Sequence, residues 1–155
     1  MADTTYKTIV IQSALDGVNR QERLAGEASI LPGYLLEVSS GAVVTHNTAD
    51  GIAKPTLVAV ESQTADSASL KTIDVAYANG DLVYYTVAAP GDVLYMVLAI
   101  GESTVAGVTP LGSNAAGLLK ALTMGASIVT GAVVGVALDT ITGDGSAHRC
   151  RVMIA

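Results

Sequence analysis

The chain has 155 residues, which is enough for one domain with a hydrophobic core, or for one domain and an arm. Charged residues make up only 14% of it, whereas about a quarter is usual, so we expect part of the surface to lie in a protein interface. The net charge of −6 and the eight scattered basic residues argue against a nucleic-acid surface, and we predict no direct nucleic-acid partner.

The residue types also argue against several kinds of site. Every aromatic residue is Tyr, and small and β-branched residues fill much of the chain. Such residues suit a large apolar ligand pocket poorly, because these pockets are usually lined by aromatic side chains. The single cysteine, Cys150, cannot form an internal disulfide, which fits synthesis in a reducing cytosol. The N-terminus lacks the pattern of a signal peptide, and the longest apolar stretch, 124–138, is shorter than a bilayer-spanning helix. We therefore expect a soluble protein with no membrane partner.

Residues 1–29 differ from the rest of the chain and are predicted to form an extended N-terminal arm. Residues 8–11 could form a short strand, but residues 16–23 are polar and have neither a helical period nor an alternation. The one helical candidate in this segment is a turn or two within 19–25. An arm of this kind would become ordered only against a partner, and removal of residues 2–25 is expected to leave a folded domain that binds its partner weakly.

Residues 30–155 are predicted to form an all-β domain. Short apolar and β-branched runs follow glycine-containing turns at intervals typical of a β-sandwich or a small β-barrel. Residues 117–122 also fit one face of a helix, but the run is short and we interpret it as a strand. The predicted strands are 34–38, 42–46, 54–60, 82–87, 93–99, 104–106, 108–111, 117–122, 127–129, 132–138 and 148–154.

The clearest pattern is a repeated frame in which Gly-Asp precedes two aliphatic residues and Tyr. It occurs at 80–84 and again at 91–95, and we interpret both aspartates as turn formers. The two following strands are predicted to pair as a β-hairpin. Tyr84 and Tyr85 must point to opposite faces of their strand, so at least one is expected in the core. With Tyr95 they are predicted to lie in the core or in an interface between copies of the chain.

The residues that could carry chemistry are few and scattered. His46 and His148 are the only histidines, and neither lies in a nucleophile motif. We interpret Cys150 as a core residue, although it would share a strand face with His148. One chain offers too few ligands for zinc, while a histidine ring in a trimer remains open. Asp139 and Asp144 are interpreted as turn residues. We therefore predict no catalytic residue, no metal site and no cofactor.

Three stretches carry a resemblance to a known family. They are 80–95 with its two Gly-Asp frames, 107–119, and the C-terminal residues 134–139 and 149–155. Together they resemble the head decoration, or cement, proteins of tailed bacteriophages. The resemblance implies a small β-barrel or β-tulip domain that assembles as a homotrimer on the outer surface of the virion. It would bind the major capsid protein near three-fold positions and stabilise the expanded head.

The resemblance also implies that the N-terminal arm reaches across neighbouring capsid subunits. The arm residues then expected to contact the capsid are Tyr6, Ile9, Val10, Ile11, Asn19, Arg20 and Arg23. A receptor- or glycan-binding head or tail fibre module, marked by an exposed Tyr cluster, is an alternative. A tail or adaptor component is also open, whereas an enzyme is disfavoured by the lack of an acid–base set.

Overall fold

The structure, a computed structural model, describes residues 6–14, 19–62, 72–123 and 131–155. The predicted strand at 127–129 lies outside these ranges. The described residues form an all-β fold without an α-helix, as predicted, and their one short helix is a 3-10 turn. The strands are β1 Val10–Gln12, β2 Arg20–Leu24, β3 Leu35–Ser39, β4 Ala42–Thr45, β5 Thr56–Ala59, β6 Leu82–Ala88, β7 Val93–Leu98, β8 Pro110–Ser113, β9 Leu119–Ala121, β10 Gly135–Ala137 and β11 His148–Ile154.

Five strands close into a small barrel in the order β7-β11-β10-β8-β9, and a parallel pairing of Leu98 with Leu119 completes the ring. β1 joins the same sheet by pairing antiparallel with the start of β7. Every residue of β7 is buried, because its strand is covered on both faces. The main core contains Leu94, Met96, Leu98, Leu111, Leu119, Val134, Ala137, Cys150, Val152 and Ile154.

The second sheet has the antiparallel order β2-β6-β5-β3-β4. It curls so far that Ala25, directly after β2, bridges Val43 of β4. Its central strand β5 is buried on both faces: Val58 joins the main core, whereas Leu57 belongs to a second cluster with Val83 and Tyr85. One face of this sheet therefore packs against the barrel, and the other face forms a core of its own.

The two Gly-Asp frames form matching turns, as the sequence predicted. The N–H of Ala78 donates to the Asp81 carboxylate at 2.7 Å, and the N–H of Ala89 donates to Asp92 at 2.8 Å. Gly91 has a φ of +92°, which only glycine adopts without strain. Because Gly91 follows Pro90, this is the type II geometry.

The predicted hairpin between these frames is wrong. β6 pairs with β2 and β5, whereas β7 pairs with β1, β9 and β11. Type II turns splay the flanking strands because their twist does not match that of a β-ribbon. The turn at Pro90–Gly91 therefore passes the chain from the second sheet to the barrel.

The described part of the predicted arm, residues 6–14 and 19–29, supplies one strand to each sheet. The helical candidate at 19–25 is wrong: Arg20–Leu24 is a strand whose five residues pair with β6. Ile9, just before β1, is fully buried in the main core. Deleting residues 2–25 would remove both strands and this side chain, so the expectation that the domain survives the deletion is revised to unfolding.

Candidate interaction surface

Tyrosine and arginine side chains form a row on the outer face of the barrel, where the residues before β1 meet β7 and β11. The Arg151 guanidinium lies 5.9 Å from the centre of the Tyr6 ring. Tyr6 packs edge-to-face on Tyr95 with a centroid distance of 5.2 Å. Arg149 lies 5.7 Å from the centre of the Tyr95 ring. Arg149 and Arg151 therefore share one face of β11, as its alternation predicted.

Both arginines of this row are already paired. Arg149 donates to the carbonyl oxygens of Pro32 and Ile73, and burial lowers the pKa of its guanidinium. Asp139 accepts hydrogen bonds from Nε and Nη2 of Arg151, and these bonds raise the pKa of Arg151. The row therefore fastens the segment around Tyr6 to the barrel. Asp139, interpreted from sequence as a turn residue, serves as the partner of Arg151.

The histidines and the cysteine occupy structural positions. His46 is buried where the second sheet meets the barrel, and it hydrogen-bonds to Ser113 Oγ at 2.7 Å and to the Ile52 carbonyl at 3.0 Å. His148 lies 3.0 Å from Asp144, at the start of β11. Cys150 is fully buried, and burial raises the pKa of its thiol, which confirms its interpretation as a core residue.

Asp144 closes a turn, as predicted. Its carboxylate accepts the N–H of Ser146 at 2.7 Å. That bond and the contact with His148 lower the pKa of Asp144. Within the residues that the structure describes, no three His, Cys, Asp or Glu side chains are grouped to hold a metal ion. Nor do those residues include a helix that is long and apolar enough to cross a membrane.

The residues predicted to contact a capsid fall into two groups. Ile9 is buried, Val10 and Ile11 pack partly buried against the main core, and Tyr6 belongs to the Tyr–Arg row. Asn19, Arg20 and Arg23 lie on the exposed side of the molecule, in or beside β2. The residues of this second group are exposed, whereas those of the first group are buried or partly buried.

The tyrosines predicted to lie in the core or in a trimer interface are not gathered on the surface. Tyr85 is buried in the second core, and Tyr95 is buried on the outer face of the barrel, where Tyr6 and Arg149 cover it. Tyr84 is partly buried and packs against both clusters, so it fills the space between the second sheet and the barrel. These three residues do not form the exposed cluster that would mark a glycan-binding module.

A loop that sequence reasoning missed carries the most exposed large apolar residues of the barrel. Ile100, Val105 and Val108 are 64%, 53% and 69% exposed, and we call the segment 100–108 that carries them the apolar loop. The 104–106 segment, predicted as a strand, makes only one isolated bridge, from Thr104 to Ile141. The sequence feature that could have indicated an exposed apolar surface here is the low charge, because Glu102 is the only charged residue from 99 to 109.

The apolar loop is held rigidly by hydrogen bonds to the barrel. The N–H of Gly107 donates to the Ala137 carbonyl at 2.7 Å, and Thr104 exchanges two backbone bonds with Ile141. The carboxylate of Glu102 turns inward and accepts the N–H of Ala121 at 2.8 Å. The loop therefore presents apolar side chains to solvent on a fixed backbone, with its one charge turned toward the barrel.

β2 is the second feature suited to binding another protein. All five of its residues are exposed, although the strand is paired with β6 along its whole length. No protein-family model matches the chain, and no curated protein sequence matches it. Among the described residues, the apolar loop and the exposed strand β2 are two surface features suited to binding another protein.

Proposed function

We propose that the protein is a structural virion protein. It binds the outer surface of a tailed-phage capsid as a homotrimer near three-fold positions, has the major capsid protein as its partner, and stabilises the expanded head. The observation that carries this proposal is the apolar loop, whose three large side chains are 53–69% exposed. Exposed apolar residues on a rigid backbone favour a protein-binding surface, and the low charge of the chain agrees with that role.

The stretches that resemble decoration proteins support the proposal through their structural roles. The 107–119 stretch includes the end of the apolar loop, all of β8 and the turn into β9. Gly112 is closely packed: an added Cβ would lie 2.9 Å from a methyl group of Leu122 and 3.2 Å from the Ala132 carbonyl oxygen, so Leu122 would have to shift. Gly117 has a φ of +73°, and a Cβ there would lie 2.9 Å from Thr45. The resemblance thus lies in residues on which the fold depends.

The proposed mechanism is clamping by several linked contacts. A specific protein contact usually buries about 800 Å² on each partner. Three contacts joined in one trimer act through a high effective concentration, so each can be modest. Binding to the expanded lattice and not to its precursor would stabilise the expanded head by linkage. This mechanism requires only surface complementarity, and the role is not enzymatic.

The decisive experiment mixes the purified protein with expanded heads that lack decoration. Cosedimentation and cryo-electron microscopy should show many copies per head, placed at three-fold positions. The variant Val108→Asp should weaken binding strongly, because it places a charge in the proposed apolar contact. Val38→Asp, the same substitution at an exposed valine of the second sheet, is the matched control and should bind normally.

Three outcomes would contradict the proposal. One is the absence of binding to heads, and another is equal binding by both Asp variants. The third is the presence of only a few copies in purified particles, which would indicate a fibre, tail or adaptor component instead.

A further inference from the structure

Strand β2 lies at an edge of the second sheet, and among the residues that the structure describes it is paired on one side only over most of its length. It approaches β4 just at its C-terminal end, where Arg23 donates to the Gly41 carbonyl at 3.2 Å and Ala25 bridges Val43. Its residues Arg20–Leu24 are exposed on both faces. Their charges alternate in sign along one face, with Arg20 and Glu22 as neighbours on that face.

The pairing with β6 fixes which backbone groups face outward. Asn19 accepts from the N–H of Val87 at 3.0 Å, and Ala25 donates to Asp81 at 2.8 Å. In an antiparallel ladder such residues alternate with residues whose N–H and C=O groups point to the other side. The backbone groups of Arg20 and Glu22 are therefore directed away from β6, toward the open edge. An open edge of this kind is a template for one more strand.

We propose that this edge binds the β2 strand of a second copy of the chain, antiparallel and about a two-fold axis through Gln21. In this register Arg20 of one copy lies opposite Glu22 of the other, and the pair occurs twice because the contact is symmetric. Arg23 lies opposite the uncharged Asn19. Opposite charges placed directly across two strands stabilise the pairing.

The charge sequence disfavours the neighbouring two-fold registers. An axis through Glu22 places two carboxylates opposite each other, and an axis through Arg20 or Arg23 places two guanidinium groups opposite each other. Like charges directly opposite destabilise a strand pair. Among the registers about Arg20, Gln21, Glu22 and Arg23, only the one about Gln21 combines charge complementarity with the outward backbone groups.

A contact between two five-residue strands is small compared with the roughly 800 Å² per partner of a stable complex. It should be weak between single copies and stronger where several copies are held side by side. On a decorated head it would link neighbouring trimers across two-fold positions. That role rests on the proposed function, whereas the strand contact itself does not.

Disulfide trapping tests the register directly. In the proposed contact, Gln21 faces its own copy as a non-hydrogen-bonded pair, with Cα atoms about 4.5 Å apart. This distance is within the range of a disulfide, so Gln21→Cys should form crosslinked dimers under mild oxidation. The native Cys150 is buried and does not compete.

The matched control is Arg23→Cys, which is equally exposed on the same strand. In the proposed register its two copies are offset by about 13 Å along the strands, so it should not crosslink. Equal crosslinking of the two variants, or none with either, would overturn the proposal.

Charge reversal on the Gln21→Cys background gives a second test. Glu22→Arg should slow crosslinking about tenfold, because two attractive pairs become two repulsive ones. Adding Arg20→Glu should restore the rate of crosslinking, because the two positions then carry opposite charges again, with their signs exchanged. Glu22→Arg is the cleaner single change, since Arg20 also lies 3.9 Å from Glu61. Absence of rescue in the double variant would overturn the register.

The same proteins separate this proposal from the proposed function. Loss of specific crosslinking with intact head binding would refute the strand contact and leave the decoration role standing. Specific crosslinking by a protein that does not bind heads would refute the decoration role and leave the strand contact standing.

Discussion

The two N-terminal strands, β1 and β2, come from one stretch of sequence yet have different places in the fold. Each pairs antiparallel with one strand of a larger sheet. The segment leading into β1 buries Ile9 completely, whereas every side chain of β2 is exposed. The difference follows from composition: residues 9–11 are all apolar, while β2 reads Arg-Gln-Glu-Arg-Leu. Backbone pairing makes a strand in both places, but only apolar side chains make it part of a core.

Glu61 is the residue at which the two strands meet. Its carboxylate accepts the N–H of Ile9 at 3.0 Å, and it lies 3.9 Å from the Arg20 guanidinium. The Ile9 bond is buried, but the Arg20 contact is partly open to solvent. Solvent screening makes the second contact worth little. β1 is therefore fixed by the fold, and the side chains of β2 are free to serve a partner.

The largest expected effect on the free energy of unfolding comes from Ile9, the buried residue just before β1. Ile9→Ala should lower the free energy of unfolding by about 2–5 kcal/mol, because it leaves a cavity in the main core. Ile11→Ala is the control and should cost less, since Ile11 is only partly buried. Chemical denaturation at a fixed protein concentration measures both. If Ile9→Ala cost no more than Ile11→Ala, β1 would not be part of the core.

The next effect compares the two Gly-Asp turns. The Asp92 carboxylate accepts both the N–H of Ala89 and the N–H of Ala14, which lies just after β1, and it is buried. The Asp81 carboxylate accepts only the N–H of Ala78 among its described contacts, and it is exposed. Asp92→Ala should therefore cost about 3 kcal/mol, and Asp81→Ala about 1 kcal/mol. Equal midpoints in urea would show that the contact with Ala14 does not hold β1.

A substitution at Tyr77 measures how much a buried hydrogen bond in the second sheet contributes to the stability of the protein. Its hydroxyl donates to the Val60 carbonyl at 2.7 Å, and the ring is buried in the second core. Tyr77→Phe removes this bond and should cost about 1 kcal/mol at neutral pH. Unfolding followed by circular dichroism provides the measurement.

The cost of Tyr77→Phe should depend on pH. Burial raises the pKa of Tyr77 from 10.0 to about 12. A raised pKa means that the unfolded phenol ionises first, so its contribution is fully present below pH 10 and is lost as the pH rises toward 12. One pH unit above the unfolded pKa removes about 1.4 kcal/mol. The deficit of the Phe variant should thus disappear near pH 11, and a deficit that stays constant would contradict a buried, protonated phenol.

The sequence predicted best the strands whose own residue types favour β-structure. β7 and β11 combine β-branched and apolar residues after a turn, and the predicted span of β11 coincides with the observed one, His148–Ile154. β2 was missed because pairing with β6, not its own side chains, makes it a strand. The pairing of β6 with β7 was wrong because strand direction was inferred without the turn type, although Pro90–Gly91 contains that information.

The candidate interaction surface was harder to predict than the fold. Val105 and Val108 are of the type that fills cores, so their runs were interpreted as strands. Their exposure depends on Thr104 and Gly107, which bind the segment to residues distant in sequence. Similarly, Ile9 was predicted to contact a capsid but lies in the core. An apolar residue type alone does not show whether the side chain packs in its own domain or against a partner. Such placements arise from tertiary contacts and not from local pattern.

The smallest expected effect is on the open strand itself. Arg23 is exposed, and its described side-chain contact is one 3.2 Å bond to the Gly41 carbonyl. Arg23→Ala should therefore change the free energy of unfolding by no more than about 0.5 kcal/mol. Arg149→Ala is the contrasting variant, because Arg149 is partly buried, bonds the Pro32 and Ile73 carbonyls, and lies against Tyr95.

Losing Arg149 leaves two carbonyl groups without their donor, and its cost should be about 2–3 kcal/mol. Thermal unfolding of the two variants side by side measures the difference. A cost for Arg23→Ala close to that of Arg149→Ala would mean that side-chain contacts hold β2 in place. β2 would then be a structural strand like β1, and its charges could not be assigned to a partner.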